Sequence, residues 1–149
     1  MNKVILLVED NSSDEKLTTL AFRRSGVASE IVVARDGADA LDYLFANGVH
    51  ANRDPEALPA LILLDLKLPK LDGLEVLRHL RADPRTKLVP VVVLTASKEQ
   101  EDVVTSFELG ANAYVRKPLE FAEFAEAAKT LGQFWLLLNE KAPPPRSRV

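Results

Sequence analysis

The sequence predicts an α/β domain in which five parallel strands alternate with five helices. Short apolar runs of strand length alternate with segments whose apolar residues recur every three or four positions. The first run, residues 4–8, is continuously apolar, which is typical of a parallel strand covered on both faces. The 149 residues suffice for one domain of this kind with its own core.

Capping and turn residues indicate where the first helices begin and end. Ser12 with Glu15 three positions later forms a capping-box signature, so the first helix is expected to begin at Ser12 and to stop at Ser25-Gly26. Asn47-Gly48 is typical of a helix C-cap and ends the second helix. The full set of expected strands is 4–8, 30–34, 60–65, 91–95 and 113–116, and that of helices is 12–24, 37–45, 74–81, 100–109 and 120–138.

The later strands and helices are also bounded by polar, capping or proline residues. The most apolar strand ends in Asp65, which places a carboxylate at its C-terminal end, and Asp72 is the expected N-cap of the third helix. Pro90 starts the fourth strand and Pro118 stops the fifth. The last helix has an amphipathic core face, but residues 134–138 are apolar on all sides, so part of this turn is expected to contact a partner.

The composition excludes several classes of protein. The net charge of -3 lacks the basic excess of a nucleic-acid binder, so we expect no direct contact with nucleic acid. Cysteine is absent and histidine occurs twice, which excludes a thiolate metal site and disfavours a zinc site. No apolar run is long enough for a signal sequence or a spanning helix, so we expect a cytoplasmic protein without membrane contact.

Polar residues gather at the predicted strand ends. Glu9 and Asp10 follow the first strand, Asp65 ends the third, Thr95 ends the fourth, and Lys117 follows the fifth. Ligands of open parallel sheets bind beyond the carboxyl ends of the strands, so these side chains are expected to converge. Clustered carboxylates favour a hard divalent cation, and Mg²⁺ is the best candidate. An ammonium and a hydroxyl beside it suit phosphoryl transfer, in which a carboxylate can be the nucleophile.

At these residues the chain resembles the CheY-like receiver domain of two-component response regulators. The similarity spans about residues 3–138 and implies a flavodoxin-like, doubly wound sheet with strand order 2-1-3-4-5 and an extended last helix. We therefore expect a receiver domain at residues 1–140 and a disordered tail at 141–149, rich in proline and arginine, with no output domain.

The resemblance implies a role for each residue of the cluster. Glu9, Asp10, Asp65 and the Lys67 carbonyl would hold Mg²⁺, and Asp65 would accept a phosphoryl group from a histidine kinase. The switch and phosphate-binding residues would be Thr95, Ala96, Lys117 and Tyr114. The bond before Pro118 is expected to be cis.

A narrower similarity concerns regulators paired with phytochrome-type histidine kinases. It rests on the Val8 to Asn11 opening, the Asp65 loop and the Phe134-Trp135 ending. It implies a partner such as a bacteriophytochrome and a homodimer formed through the fourth helix, fifth strand and fifth helix. The interface candidates are Phe134, Leu136 and Leu137.

Two other classes remain as alternatives. A haloacid-dehalogenase-like phosphatase also uses a strand-end aspartate with Mg²⁺, but its second acid falls where this chain has Lys67. A constitutive pseudo-receiver would lack part of the acidic cluster, which is complete here. Dinucleotide-binding and P-loop domains are disfavoured because neither glycine-rich motif is present.

Overall fold

Five parallel strands form the central sheet of the computed structural model, which describes residues 3–27, 29–140 and 142–143. The strands are β1 (Lys3–Val8), β2 (Ser29–Ala34), β3 (Leu61–Leu64), β4 (Val91–Thr95) and β5 (Ala113–Arg116). The helices are α1 (Ser12–Arg24), α2 (Gly37–Phe45), α3 (Gly73–Ala82), α4 (Gln100–Glu108) and α5 (Phe121–Gly132). A 3₁₀ turn at Gly48–His50 and a π-helical turn at Gln133–Leu138 complete the elements. The strand order is β2-β1-β3-β4-β5, so the predicted flavodoxin-like topology is confirmed.

The sheet separates two apolar cores. Successive side chains of a strand point to opposite faces, so each of the central strands β1, β3 and β4 contributes to both cores. One core packs α2 and α3 against the sheet, and the other packs α1 and α5. Because both faces are covered, these strands are apolar without alternation, as the sequence indicated.

The predicted N-cap is confirmed at α3, whereas α1 begins at Ser12 as predicted but has a different N-cap. Asp72 caps α3, its carboxylate accepting a hydrogen bond from the backbone nitrogen of Glu75 at 3.0 Å. The N-cap of α1 is Asn11, whose side-chain oxygen accepts from the nitrogen of Asp14 at 2.9 Å, so the predicted Ser12 capping box is wrong. Asn11 and Ser12 are both residue types that can cap a helix. Asn11 is the one with extended backbone, φ -82° and ψ 116°.

The end of the last helix corrects part of the predicted interface. The backbone nitrogen of Asn139 donates to the carbonyl of Phe134 at 2.6 Å, five residues earlier, which widens this turn. The wider turn shifts the buried face, so Leu136 is only 1% exposed and packs in the core with α1 and α5. Leu136 is therefore excluded as an interface residue, whereas Phe134 and Leu137 are 47% and 65% exposed.

Two further predictions concern the C-terminal tail and contact with a membrane. The predicted tail, residues 141–149, lies outside the described residues except for positions 142 and 143. Within the described part of the chain, every helix is too short or too polar to cross a membrane.

Candidate functional site

Backbone hydrogen bonds continue the sheet beyond its strands and align the site residues. The nitrogen of Asp65 donates to the carbonyl of Val8 at 3.1 Å, and the nitrogen of Lys117 donates to that of Thr95 at 2.8 Å. These bonds fix the residues that follow β3 and β5 against the neighbouring strand ends. The side chains predicted at the strand ends therefore meet at one edge of the sheet.

Lys117 lies at the centre of this cluster and makes three ion pairs. Its Nζ donates to Glu9 Oε1 at 2.6 Å, to Asp14 Oδ2 at 2.8 Å and to Asp65 Oδ2 at 3.1 Å. The Lys117 side chain is only 8% exposed, so its charge is stabilised by these carboxylates rather than by water. An ammonium group has three hydrogens, and each one has an acceptor here.

The surroundings set the protonation of the cluster. Burial raises the pKa of Glu9 to about 7, and the hydrogen bond from Lys117 only partly opposes that shift. Burial acts to raise the pKa of Asp65 as well, but the Lys117 charge and the Thr95 hydrogen bond outweigh it and hold this pKa below its usual value. For Lys117, burial acts to lower the pKa, and the hydrogen bonds to Asp14 and Glu9 raise it above its usual value. At neutral pH, Asp65 is thus ionised beside a charged Lys117.

A chain of hydrogen bonds leads from Asp65 to the fifth strand. Thr95 Oγ1 donates to Asp65 Oδ1 at 2.8 Å and accepts from the nitrogen of Ser97 at 3.4 Å. The hydroxyl of Tyr114 donates to the Ser97 carbonyl at 3.1 Å, and Ser97 Oγ donates to Asp102 Oδ2 on α4 at 2.6 Å. A change at Asp65 can therefore reach both β5 and α4 through the loop after β4.

The acidic cluster has the donor set of a hard cation. One carboxylate oxygen from each of Glu9, Asp10 and Asp65 lies within 4.8 Å of the others. Opposite ligands of a Mg²⁺ ion lie about 4.2 Å apart, so a small movement would let these oxygens share one ion. All the donors are oxygens, which Mg²⁺ prefers, so the residues fit the expected cofactor.

A surface cavity of about 590 Å³ opens over the cluster. Asp65 and Thr95 lie in its wall beside Lys67 and Ala96, whose exposed positions leave space next to the carboxylate. The cavity therefore leaves open space beside the Asp65 carboxylate.

Two glycines hold the loop between β3 and α3 in close contact with its neighbours. A Cβ at Gly73 would lie 2.2 Å from the carbonyl oxygen of Asp65, and a Cβ at Gly37 would lie 2.0 Å from that of Leu71. Both distances are far below any ordinary contact, so only glycine allows the backbone segments to approach. The loop that carries Asp65 and Lys67 is thus braced by the first residues of α2 and α3.

Two details of the site differ from what the sequence predicts. The Lys117–Pro118 bond is trans, since the described peptide bonds include no cis form, so the predicted cis bond is wrong. The trans form is the intrinsically favoured one before proline. Asp14 also belongs to the cluster although it was not among the predicted site residues, and it lies in the first turn of α1. An acidic residue in the first turn of the helix that follows β1 was the available signal.

The fold and this site together define a CheY-like receiver domain. The family model described as the response regulator receiver domain matches residues 5–129. The chain therefore belongs to the response regulator receiver family, and the prediction made from the strand-end residues is confirmed.

Its relatives include regulators whose names refer to phytochromes. The chain is 40% identical over 134 residues to response regulator Rcp1 of Synechocystis sp., which covers 90% of this chain and 89% of Rcp1. The phosphorylated cyanobacterial phytochrome response regulator RcpA superposes with a TM-score of 0.88 at 40% identity, over 96% of this chain and all of that one (100%). The bacteriophytochrome response regulator RtBRR superposes with a TM-score of 0.77 at 54% identity, over 96% of this chain and 86% of that one.

A metal-bound structure is also among these relatives. The Mn²⁺-bound form of Rcp1 has a TM-score of 0.86 and 38% identity, covering 95% of this chain and 99% of that one. The similarity to RcpA and RtBRR confirms the predicted resemblance to phytochrome-associated regulators.

Proposed function

We propose that this chain is a response regulator that accepts a phosphoryl group from a histidine kinase onto Asp65 in a Mg²⁺-dependent reaction. The observation that carries the proposal is the position of the Asp65 carboxylate, held between Lys117 Nζ and Thr95 Oγ1 at 3.1 and 2.8 Å. The carboxylate lies in the wall of an open cavity, where a phosphorylated partner can reach it. Residues 1–140 would form this receiver domain, with the cytoplasm as its location.

The transfer step needs few groups from the protein. A carboxylate oxygen of Asp65 attacks the phosphorus of a phosphohistidine, an O–P bond forms, and the P–N bond breaks as its electron pair returns to the imidazole. Glu9, Asp10, Asp65 and the Lys67 carbonyl would hold Mg²⁺, which would supply positive charge for the phosphoryl oxygens. Lys117 adds a second positive charge. Slow hydrolysis of the resulting acyl phosphate would reset the domain.

Thr95 and Tyr114 would transmit the modified state. The Thr95 hydroxyl, bonded to Asp65 in the unmodified protein, can instead donate to a phosphoryl oxygen, with Ala96 leaving space beside it. That movement changes the Ser97 contacts with Tyr114 and with α4. Within α4, all of which the structure describes, Ser106 is the single buried residue, so repositioning this helix disrupts little packing.

The relatives support the kind of kinase that we propose as partner. RcpA is named as a phytochrome response regulator and RtBRR as a bacteriophytochrome response regulator. We propose that this chain likewise receives its phosphoryl group from a phytochrome-type histidine kinase. Phosphotransfer from such kinases in both light states would test this partner directly.

The transfer chemistry is tested with a small acyl phosphate in place of the kinase. Incubation with Mg²⁺ should add one phosphoryl group to the intact protein, and chelation of the metal should prevent it. Intact-protein mass spectrometry measures both results. Equal labelling with and without the divalent cation would contradict the proposed mechanism, and sustained turnover of phosphate esters would instead favour the phosphatase alternative.

We also propose a homodimer formed through α4, β5 and α5. Val104 and Phe107 on α4 are 48% and 49% exposed, and Phe134 and Leu137 lie exposed beyond α5. Large exposed apolar side chains such as these are the residues that a protein interface would cover.

Replacing Phe134 and Leu137 together by Ser should shift a dimer to monomer, because the contact loses two large apolar side chains. Sedimentation velocity measures the shift, with Val49→Ser as control, since Val49 is 90% exposed on a different element. Monomeric wild type, or a double variant that stays dimeric, would refute this interface. Shortening the chain before Phe134 is a poor test because it removes the buried Leu136.

A further inference from the structure

Asp14 differs from the other two acceptors of Lys117. Glu9 and Asp65 belong to the candidate metal cluster, and Asp14 does not. Its Oδ2 nevertheless lies 2.8 Å from Lys117 Nζ, closer than Asp65 at 3.1 Å. Lys117 is thus bonded to two residues that a cation would also use and to one that it would not.

Asp14 is held in place independently of the metal cluster. Its backbone nitrogen donates to the Asn11 side chain at 2.9 Å, and its carbonyl accepts from Thr18 Oγ1 at 2.7 Å. Its side chain is 31% exposed, compared with 2% for Glu9, so it lies toward the open side of the cluster. Helix α1 therefore presents a fixed carboxylate to Lys117 from the edge of the cavity.

A cation that binds Glu9 and Asp65 competes with Lys117 for the same two carboxylates. A mostly buried ammonium group that loses its partners is strongly destabilised, and this cost would weaken cation binding. With Asp14 in place, the ammonium keeps one charged acceptor while its other two are taken. We propose that Asp14 is a positioning residue that retains Lys117 during cation binding and thereby strengthens that binding.

This inference rests on the proposed function, and it is tested by titrating the full chain with Mg²⁺ in a calorimeter. Asp14→Asn should weaken Mg²⁺ binding by about threefold to fivefold, the effect of losing one partly exposed ion pair. Glu15→Gln is the matched control, because it removes the same charge from the next residue, which pairs with Arg35 at 2.9 Å instead. The control should change the affinity by less than about twofold.

The same comparison in a Lys117→Met protein separates the effect of the Asp14–Lys117 contact from the general effect of removing a negative charge. In Lys117→Met, where no ammonium competes, Asp14→Asn should weaken Mg²⁺ binding no more than Glu15→Gln does. Thermal unfolding without Mg²⁺ reports any purely structural effect of the substitutions. Lower thermal stability of Asp14→Asn with unchanged Mg²⁺ affinity would overturn the inference.

The remaining outcomes distinguish a failure of this inference from a failure of the proposed function. Equal weakening by Asp14→Asn and Glu15→Gln in the wild-type background would overturn the role of Asp14 and leave the proposed function intact. A wild-type protein that binds no Mg²⁺ would contradict the proposed function and this inference together.

Discussion

Asp65→Asn is expected to abolish phosphoryl incorporation from an acyl phosphate. The amide has no free carboxylate oxygen to attack phosphorus, and it also removes one negative ligand from the candidate metal cluster. The substitution should leave the fold intact, because Lys117 keeps its pairs with Glu9 and Asp14. Intact-protein mass spectrometry, after incubation with Mg²⁺ and the acyl phosphate, measures the loss.

Asp72→Asn provides the matched control for Asp65→Asn. Asp72 lies in the same connection between β3 and α3, but it is exposed and caps α3, and Asn caps a helix about as well as Asp. Labelling of this variant should equal that of the wild type. Normal labelling of Asp65→Asn would show that another residue is the acceptor.

Gly73→Ala is expected to destabilise the protein by about 3 kcal/mol and to suppress phosphorylation. The added Cβ would lie 2.2 Å from the Asp65 carbonyl oxygen and 2.7 Å from the Leu66 Cα, and both of these are backbone atoms. The nitrogen of Gly73 also donates to the Leu66 carbonyl at 2.8 Å, which ties the two segments together. Relief of the clash must therefore move the loop that carries Asp65.

Urea unfolding and acyl-phosphate labelling together measure the effect of Gly73→Ala. Gly132→Ala is the control, because a Cβ there would meet its nearest neighbour, Val27, at an ordinary 3.5 Å. In helical backbone this control should be neutral or slightly stabilising. A Gly73→Ala protein with wild-type stability and labelling would contradict the close packing described here.

The sequence predicted the sheet and most of the site for one physical reason. Continuous apolar runs are typical of buried parallel strands, and parallel strands bring their carboxyl ends to one edge. Placing Glu9, Asp65, Thr95 and Lys117 therefore required only the correct ends of four strands. Hydrogen bonds confirm the contacts between Asp65, Thr95 and Lys117.

The errors concern choices that depend on local backbone geometry. Asn11 and Ser12 are both good caps, and only the backbone decides which one remains extended. A regular α-helix would place Leu136 on the surface, whereas the π-helical turn brings it into the core. The bond before Pro118 depends on tertiary context, since the two isomers differ by only about 0.5–1 kcal/mol.

The missed role of Asp14 has a different cause. Its position in the first turn of α1, just after β1, places it near the strand ends, but the pattern does not show which lysine it meets. Lys117 lies 103 residues away in the chain, and the pairing exists only once the sheet has formed. Contacts of this kind follow from the fold rather than from a local motif.

The central claim is that Asp65 is the phospho-acceptor, and chemical trapping tests it most directly. The wild-type protein is incubated with Mg²⁺ and an acyl phosphate, reduced with borohydride to convert an aspartyl phosphate into homoserine, and mapped by peptide mass spectrometry. We expect homoserine at position 65 and at no other position. Reduction at a different carboxylate, or a phosphoryl group found on His50 or His79, would contradict the account.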